Sequence, residues 1–527
     1  MSSKGVPSKR RIAQAAFLVT ALNVLSKVSG FFRTLIIAMF FGASASTDAN
    51  GIANALTGSV TVLTGPISTA FLPVLSAHLA RGDEDGARKV TSSVITLSVV
   101  LILSVSLTAA WFAPDLIRIV GRGLSEPAFR TAVMLTRVYF PAMVLPLLAA
   151  YAKFVLNAHD EFNVPAMSVT LQNLAMIAAI ALLAPSLGAP ALAVAFVLGN
   201  GAALLVQASA WRKKAPLPSI SLRVDKSTRE VFRLALPLML SSVFGQAYVL
   251  VDRSLASKLA EGSVAVLGYA ESLRQIPLGL FVAAVTTVIY PSLSAAWAKG
   301  DKDGFRELSA MGIRYVEFIC LPAALGLIAL ASPVVRVAFE RGAFTQEATR
   351  ITASVLSVYV PAIVATGAAQ VVNISFYAAH ETRVPVALGI GTALLNTALD
   401  YALVGPFGLA GLAVANSLAA FAGASLSFYA LNRFAGGLRP AALGRSLAKM
   451  AAASAGMAAA AYGLSRVTGF HGGAGSLTRD VFLAALTVGG GGAVYLGLAW
   501  ALKCEELSMF VGLAKDRLGR LSKKVHG

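Results

Sequence analysis

The sequence predicts an all-α polytopic membrane protein with about fourteen transmembrane helices. Of its 527 residues, 57% are hydrophobic and only 13% are charged, whereas a soluble domain is about one quarter charged. The mean hydropathy is +0.73. The apolar residues form long continuous runs and do not alternate with polar ones, which favours helices over a β-barrel.

The predicted spans follow these apolar runs in chain order. Several runs exceed the roughly 20 residues that a bilayer requires, so we expect these helices to tilt or bend. Gly30, Pro66, Pro146 and Pro277 are the candidate bend points. The predicted spans are 12–41, 49–80, 88–113, 128–158, 164–185, 189–210, 228–260, 263–298, 305–331, 348–379, 384–404, 408–433, 441–466 and 479–503.

An internal repeat organises these spans. The segment from Pro73 to Gly86 recurs from Pro291 to Gly304, 218 residues later. Spans 1–6 are therefore repeated as spans 7–12, and since six is even, the two halves keep one orientation about an axis along the membrane normal. The sequence predicts two parallel six-helix lobes, residues 1–215 and 216–435, followed by two additional spans and a basic tail in 436–527. Further matching positions are Tyr139 with Tyr359, Ala158-His159 with Ala379-His380, Val164 with Val384, and Gly188 with Gly408.

The net charge of +19 reflects topology and does not predict nucleic-acid binding. Lys and Arg lie mostly between the apolar runs and form no basic domain. They concentrate in the tails and in the loops on one side, and such loops face the cytoplasm. With an even number of spans, both termini are predicted to be cytoplasmic.

Cations interrupt the first predicted span. Lys27 lies near its middle and Arg33 nearer its end, about 120° apart on a straight helix. Such residues are costly in a bilayer and mark functional sites, and cations would hold the phosphate of an anionic headgroup. The alternative for Arg33 is that its long side chain reaches the interface. Asp48 begins span 2, where it either joins the substrate site or caps the helix.

Further charges lie deep in spans 7 and 8. Span 7 carries Asp252 and Arg253, while Glu271 and Arg274 share one face of span 8 at spacing i, i+3. The alternative for the second pair is a purely structural ion pair. We assign Arg253, Glu271 and Arg274 to the substrate site.

An acid and an amide share one face of span 11. Asn396 and Asp400 are separated by four residues in an otherwise apolar helix. Carboxylate and amide oxygens suit a hard cation such as Na⁺, or a proton. Asp252 and Asn416 would complete this site for a coupling ion. The alternative is a buried hydrogen-bonded pair.

The sequence contains no catalytic constellation. Walker A, HExxH and paired CxxC motifs are absent from it, and its two cysteines are far apart. The interpretation is a transporter and not an enzyme, with no cofactor beyond a coupling ion.

Several stretches of the chain carry a family resemblance. They are Ser26-Lys-Val-Ser-Gly-Phe-Phe-Arg33, Thr47-Asp-Ala49, Gly262 to Pro277, Phe339-Glu-Arg-Gly-Ala-Phe344, Phe376 to Pro385, and Gly411-Leu-Ala-Val-Ala415. These stretches resemble the MurJ/MviN family of lipid II flippases, which belongs to the multidrug and oligosaccharidyl-lipid exporter superfamily. The likeness covers nearly the whole chain.

The resemblance implies flipping of a polyprenyl-pyrophosphate-linked peptidoglycan precursor, lipid II, from the inner to the outer leaflet of a bacterial cytoplasmic membrane. Two lobes would rock around a cationic cavity between spans 1, 2, 7 and 8. Arg33 matches the family's span 1 arginine and Asp48 its span 2 acid, whereas Lys27 stands where an arginine is usual. The partners would be the lipid-linked anionic substrate, membrane lipids and cell-wall synthesis proteins.

One departure from the family keeps other functions open. The family's span 2 arginine has no counterpart here, so either Arg253 and Arg274 compensate or the cargo differs. The alternatives are an exporter of another lipid-linked glycan or small molecule, and a non-transporting membrane scaffold. The four cations Lys27, Arg33, Arg253 and Arg274 favour an anionic cargo.

Overall fold

The computed structural model describes residues 9–438, 440–470 and 476–507. Within this part of the chain every regular element is a helix, which confirms the all-α class. The helices are α1 Lys9–Phe41, α2 Ala45–Ala80, α3 Glu84–Trp111, α4 Ala113–Val120, α5 Glu126–Ala142, α6 Val144–Ala158, α7 Asn163–Leu187, α8 Pro190–Arg212, α9 Lys226–Ser257, α10 Ser263–Pro277, a π-helix Leu278–Val282, α11 Ala283–Ala298, α12 Lys302–Ala329, α13 Ala331–Phe339, α14 Gln346–Tyr359, α15 Ala362–Ala378, α16 Arg383–Ala435, α17 Pro440–Val467 and α18 Leu477–Ala501.

Each predicted span coincides with a helix, or with consecutive helices, to within a few residues. By length and composition, ten helices among the described residues could cross a membrane, or eleven when α14 and α15, bent by 43°, count as one span. The two predicted spans on either side of Gly408 form the single element α16, which breaks at that glycine (φ 55°, ψ −133°). The number of fourteen spans therefore stays a prediction. The cytoplasmic placement of the two termini also stays a prediction, since residues 1–8 and 508–527 lie outside the described part of the chain.

Two short helices were absent from the sequence interpretation. They are α4 and α13, which occupy equivalent positions in the two halves of the repeat. Each is too short to span a bilayer. Each buries apolar side chains on one side, such as Ile117 in α4 and Val335 in α13. A scan for long apolar runs passes over such segments because they are only eight and nine residues long and each contains a charged residue.

The repeat is visible in the hydrogen bonds of the helix starts. Asp83 accepts a bond of 2.8 Å from the Gly86 N–H at the start of α3. Asp301 accepts one of 2.8 Å from the Gly304 N–H at the start of α12. The Gly86 N–H and the imidazole of His78 hold the pKa of the Asp83 carboxyl below its ordinary value.

The backbone also corrects one predicted match of the repeat. Asp160 (φ 61°) and His380 (φ 60°) are the non-glycine residues that follow α6 and α15 in the left-handed region. His380 is therefore equivalent to Asp160, and Ala379 to His159. The sequence comparison had aligned the two histidines, one residue out of register.

The chain forms two compact units. One comprises the described part of residues 1–268 together with Arg341–Thr345, and the other comprises Tyr269–Glu340 with the described part of residues 346–527. The division falls within α10, and α9 groups with the first unit. The predicted lobe boundary near residue 215 stays a prediction.

In the first unit, α1 packs on α7 and α9 packs along α2. The apolar contact around α7 includes Leu135, Met176 and Ile180, with Ile36 from α1 beside them. Across the α2–α9 contact, the Gln246 side chain donates to the Ala55 carbonyl oxygen over 2.8 Å. This bond fixes the register of the two helices.

In the second unit, the C-terminal helices α17 and α18 pack on α12. Phe318, Met450 and Tyr495 form the centre of this contact. The Tyr495 hydroxyl donates to the Phe318 carbonyl oxygen over 2.7 Å. The two helices outside the repeat are thus anchored on a helix of the second half.

Candidate functional site

Arg33 lies on the face of α1 that packs against α7. One turn earlier, the Asn173 amide nitrogen bonds the Ser26 carbonyl oxygen and the Ser29 hydroxyl, both over 3.1 Å. Arg33 is half-buried, and its Nη1 lies 3.4 Å from the Met176 thioether sulfur. A thioether is a weak acceptor and a guanidinium has five N–H donors. Most of the donor capacity of Arg33 is thus unused among the described residues.

Lys27 lies on a different face of α1. Its side chain is exposed, while Ser29, two residues later, is buried against α7. The two predicted cations of span 1 are therefore not brought together on one face, in keeping with their angular separation of about 120°.

Asp48 binds the beginning of α10. Its carboxylate accepts bonds from the Gly262 N–H (2.7 Å) and the Ala265 N–H (2.8 Å). Its side chain is buried, with 4% of the residue exposed. The first N–H groups of a helix have no partner within the helix and carry partial positive charge. Asp48 satisfies two of them on a helix more than 200 residues away in the chain.

A second carboxylate makes the reciprocal contact, from the beginning of α10 to the beginning of α2. Glu261, just before α10, accepts a bond of 3.0 Å from the Ala45 N–H at the beginning of α2. Gly262 has φ +87°, and a Cβ there would lie 2.7 Å from the Ala43 carbonyl oxygen. The starts of α2 and α10 therefore meet at a distance that only glycine permits. We call this contact the helix-start junction; it comprises residues 42–48 and 261–265.

The helix-start junction has two further supports within the first unit. Arg253 Nη1 donates to the Val264 carbonyl oxygen over 3.0 Å. The Ala343 N–H donates to the Met39 carbonyl oxygen over 2.8 Å, next to the turn between α1 and α2. Asp48 and Arg253, both predicted to bind substrate, thus hold the first turn of α10. Their assignment to the substrate site stays a prediction.

In the second unit, Glu271 and Arg274 form the ion pair that their spacing predicts. Arg274 Nε and Nη2 lie 2.6 Å and 2.9 Å from the two carboxylate oxygens of Glu271. The guanidinium carbon lies 4.6 Å from the centre of the Tyr359 ring, a cation–π contact. Arg274 is buried, so its charge is directed into the protein.

The polar pair of span 11 also forms. The Asn396 amide nitrogen donates to Asp400 Oδ2 over 2.7 Å, and both residues are buried. This bond uses the Asn396 amide nitrogen and one of the two carboxylate oxygens of Asp400. Asn416 is half-buried in the same unit. Asp252, the fourth predicted ligand, is half-buried in the first unit.

Sequence reasoning missed the buried acids Asp480, Glu506 and Glu317, the last of which lies in the middle of α12. Glu317 is 1% exposed. The signal was present, since Glu317 interrupts predicted span 9. Arg314, one turn earlier on α12, does not pair with it, since its Nη1 lies 2.9 Å from Glu505.

Comparison with known proteins identifies the family. Residues 37–483 match the family described as "Lipid II flippase MurJ". The lipid II flippase MurJ of Burkholderia cenocepacia is 29% identical over 431 residues, which cover 80% of this chain and 84% of that protein. The probable lipid II flippase MurJ of Bdellovibrio bacteriovorus is 26% identical over 512 residues, which cover 95% and 96%.

Solved structures show the same fold. An inward closed structure of the lipid II flippase MurJ superposes with a TM-score of 0.75 at 24% identity, covering 92% of this chain and 98% of that one. An inward-facing multidrug transporter of the MATE family follows with a TM-score of 0.70 at 16% identity. The family match extends over most of the chain, from the end of α1 into α18, and the chain accordingly belongs to the lipid II flippase MurJ family.

Proposed function

We propose that the protein is a flippase that moves lipid II from the inner to the outer leaflet of a bacterial cytoplasmic membrane by alternating access. The observation that carries this proposal is the match to the lipid II flippase family over residues 37–483. The apolar helices support a multi-pass protein of the membrane. Its function is then transport within peptidoglycan biosynthesis and not catalysis.

Arg33 supports an anionic cargo. It lies just ahead of the matched region, so its role rests on its contacts and on the residues around it. A guanidinium in a membrane span without a carboxylate partner among the described residues is costly. Binding a pyrophosphate through paired N–H···O bonds would satisfy it. We therefore assign Arg33 as the principal cation for the pyrophosphate, with Lys27 as a second, non-bidentate one.

Arg274 is a further cation, and its charge is already neutralised. The Glu271 carboxylate accepts bonds from the Nε and Nη2 of Arg274 in a bidentate pair. A phosphate that competes for Arg274 must displace that carboxylate, so binding there would be coupled to rearrangement of the pair. Arg274 thus compensates for the missing span 2 arginine only when the pair opens.

The coupling ion would bind the Asn396–Asp400 pair of the second unit, while the roles of Asp252 and Asn416 stay predictions. Buried carboxylate and amide oxygens support this proposal. Na⁺ or a proton would bind at these oxygens, and substitution of the aspartates tests the binding of each ion. Cell-wall synthesis proteins are the proposed partners that deliver or receive the lipid, with both termini of the chain in the cytoplasm.

Complementation tests the proposed function. The chain is expressed in a bacterium whose own lipid II flippase is depleted, and lipid II in the outer leaflet is measured by its accessibility to an external enzyme. We expect the wild-type chain to restore outer-leaflet lipid II and Arg33→Ala to fail at equal expression. Arg130→Ala, an exposed residue on α5 paired with Glu126, is the matched control. Failure of the wild-type chain would contradict the proposal, while equal restoration by Arg33→Ala would remove Arg33 from the site.

A further inference from the structure

Glu317 is a carboxylic acid enclosed in the second unit. It lies midway along α12 and is 1% exposed. Neither carboxyl oxygen has a hydrogen-bond partner among the described residues. The Arg314 side chain, one turn away, is directed to Glu505 and Glu506 at 2.9 Å and 3.6 Å.

The wall around this carboxyl is tightly packed. A Cβ added at Gly367 of α15 would lie 2.8 Å from Val316 and 2.9 Å from Cys320, with Glu317 Oε1 at 3.6 Å. The two helices therefore approach as closely as a glycine permits. Such a contact leaves no room for a water molecule beside Gly367.

A negative charge on Glu317 would have no cation to compensate it in this arrangement. Burial is the main influence on it; the nearby Ala368 N–H favours negative charge without meeting hydrogen-bond geometry, and the titratable group that faces it is the Cys320 thiol on its own helix. Helices α11 and α15 carry no Asp, Glu, Lys, Arg or His. None of the charged groups on the other helices packed against α12 acts on the Glu317 carboxyl. These groups are Arg336 (α13), Glu347 and Arg350 (α14), Arg383, Asp400 and Arg433 (α16), Arg445, Lys449 and Arg466 (α17), and Arg479 and Asp480 (α18).

An ionised carboxylate without a partner costs many kcal/mol in a low-dielectric interior, and in practice such a group takes up a proton instead. A metal ion does not explain the site, because a hard cation requires several oxygen ligands. No group of three or more His, Cys, Asp or Glu able to hold a metal occurs in the described part of the chain.

We propose that Glu317 is a proton-binding site whose occupancy changes during transport. The proton comes from water and forms an O–H bond on the carboxylate before α12 and α15 close upon it. When the two helices separate and water enters, that bond breaks and the proton returns to water. Proton binding thereby favours the closed packing of this unit. The inference rests on the proposed transport function and adds a site separate from Asp400.

Infrared spectroscopy of the purified full-length protein tests whether Glu317 is protonated, without the need for a transport assay. A protonated carboxyl in an apolar environment has a C=O stretching band distinct from that of a carboxylate. We expect this band in the wild type at neutral pH and its loss in Glu317→Gln. Glu307→Gln, an exposed acid ten residues earlier on α12, is the matched control and keeps the band. Persistence of the band in Glu317→Gln would overturn the proposal.

Flipping of lipid II in vesicles, measured across a pH series, tests the link to transport. Where one proton limits the rate, the wild-type rate changes about tenfold per pH unit. We expect this slope to vanish in Glu317→Gln and in the apolar variant Glu317→Met, and to persist in Glu307→Gln. An unchanged slope in both Glu317 variants would overturn the proposal. A wild type that binds the proton but flips nothing would instead contradict the proposed function.

Discussion

The carboxylate of Asp48 gives the sharpest stability prediction. Asp48→Asn keeps the size of the side chain and removes its charge. One amide oxygen can still accept a bond from the start of α10, but the amide nitrogen then faces a backbone N–H, so one of the two bonds is lost. We expect the first turn of α10 to open more readily.

The magnitude follows from the two contacts. A hydrogen bond to a charged group contributes about 1.5–3 kcal/mol, and a partly buried carboxylate at a helix start contributes up to about 2 kcal/mol. Because these contributions overlap, we expect a loss of about 2–4 kcal/mol. At roughly 1.4 kcal/mol for each factor of ten, exchange of the Gly262 and Ala265 amide hydrogens through local opening should accelerate about 30- to 1,000-fold.

Hydrogen exchange detected by mass spectrometry on the purified protein measures this effect. Asp115→Asn is the control, because Asp115 is an exposed acid of the same unit paired with the exposed Arg118, and we expect it to leave this exchange unchanged. If Asp48→Asn exchanged at the wild-type rate at both amides, the carboxylate would not hold the helix start and the helix-start junction would be refuted.

Three further changes probe other contacts. Arg274→Ala leaves the partly buried Glu271 carboxylate without its cation, so thermal unfolding should show a loss of about 2–3 kcal/mol. Gly262→Ala introduces both a strained φ and a clash with a neighbouring carbonyl oxygen, and should cost about 1–3 kcal/mol. Gly82→Ala has a similar φ with open space around it, so it should cost less in the same measurement. Asp400→Asn removes the proposed ion-binding charge, so the apparent affinity for Na⁺ or protons, measured from the ion dependence of flipping, should fall at least about tenfold.

Each of these predictions has a result that contradicts it. Unchanged thermal stability in Arg274→Ala would mean that water solvates Glu271 adequately. Equal losses in Gly262→Ala and Gly82→Ala would show that dihedral strain alone, and not the close approach of two helix starts, explains the glycine. An unaltered ion dependence in Asp400→Asn would leave the Asn396–Asp400 pair as a structural hydrogen bond.

Local sequence patterns predicted what depends on neighbouring residues. The apolar runs gave the helices, because burial in lipid requires long apolar segments. The i, i+3 spacing of Glu271 and Arg274 and the i, i+4 spacing of Asn396 and Asp400 gave two contacts that the structure confirms. The internal repeat matches Asp83 with Asp301, and the structure shows the same carboxylate–N–H bond at both helix starts, since the same short motif folds the same way twice.

Contacts between distant segments could not be predicted. Asp48 was expected to bind substrate or to cap its own helix, but its partners are the N–H groups of α10. Glu317 was missed although it interrupts predicted span 9, and only the packing of α12 shows that Arg314 at i−3 is directed to Glu505. A one-dimensional pattern gives the spacing of charges but not which helix face receives each of them.

Flipping of lipid II by the purified protein in vesicles tests the central claim most directly. The wild type should expose inner-leaflet lipid II to an external reagent. Arg33→Ala should slow this by about 10- to 150-fold, the equivalent of one lost charged hydrogen-bond contact of about 1.5–3 kcal/mol, while Arg130→Ala should match the wild type. A wild type that exposes no more lipid II than empty vesicles, or an Arg33→Ala variant as fast as the wild type, would contradict the account.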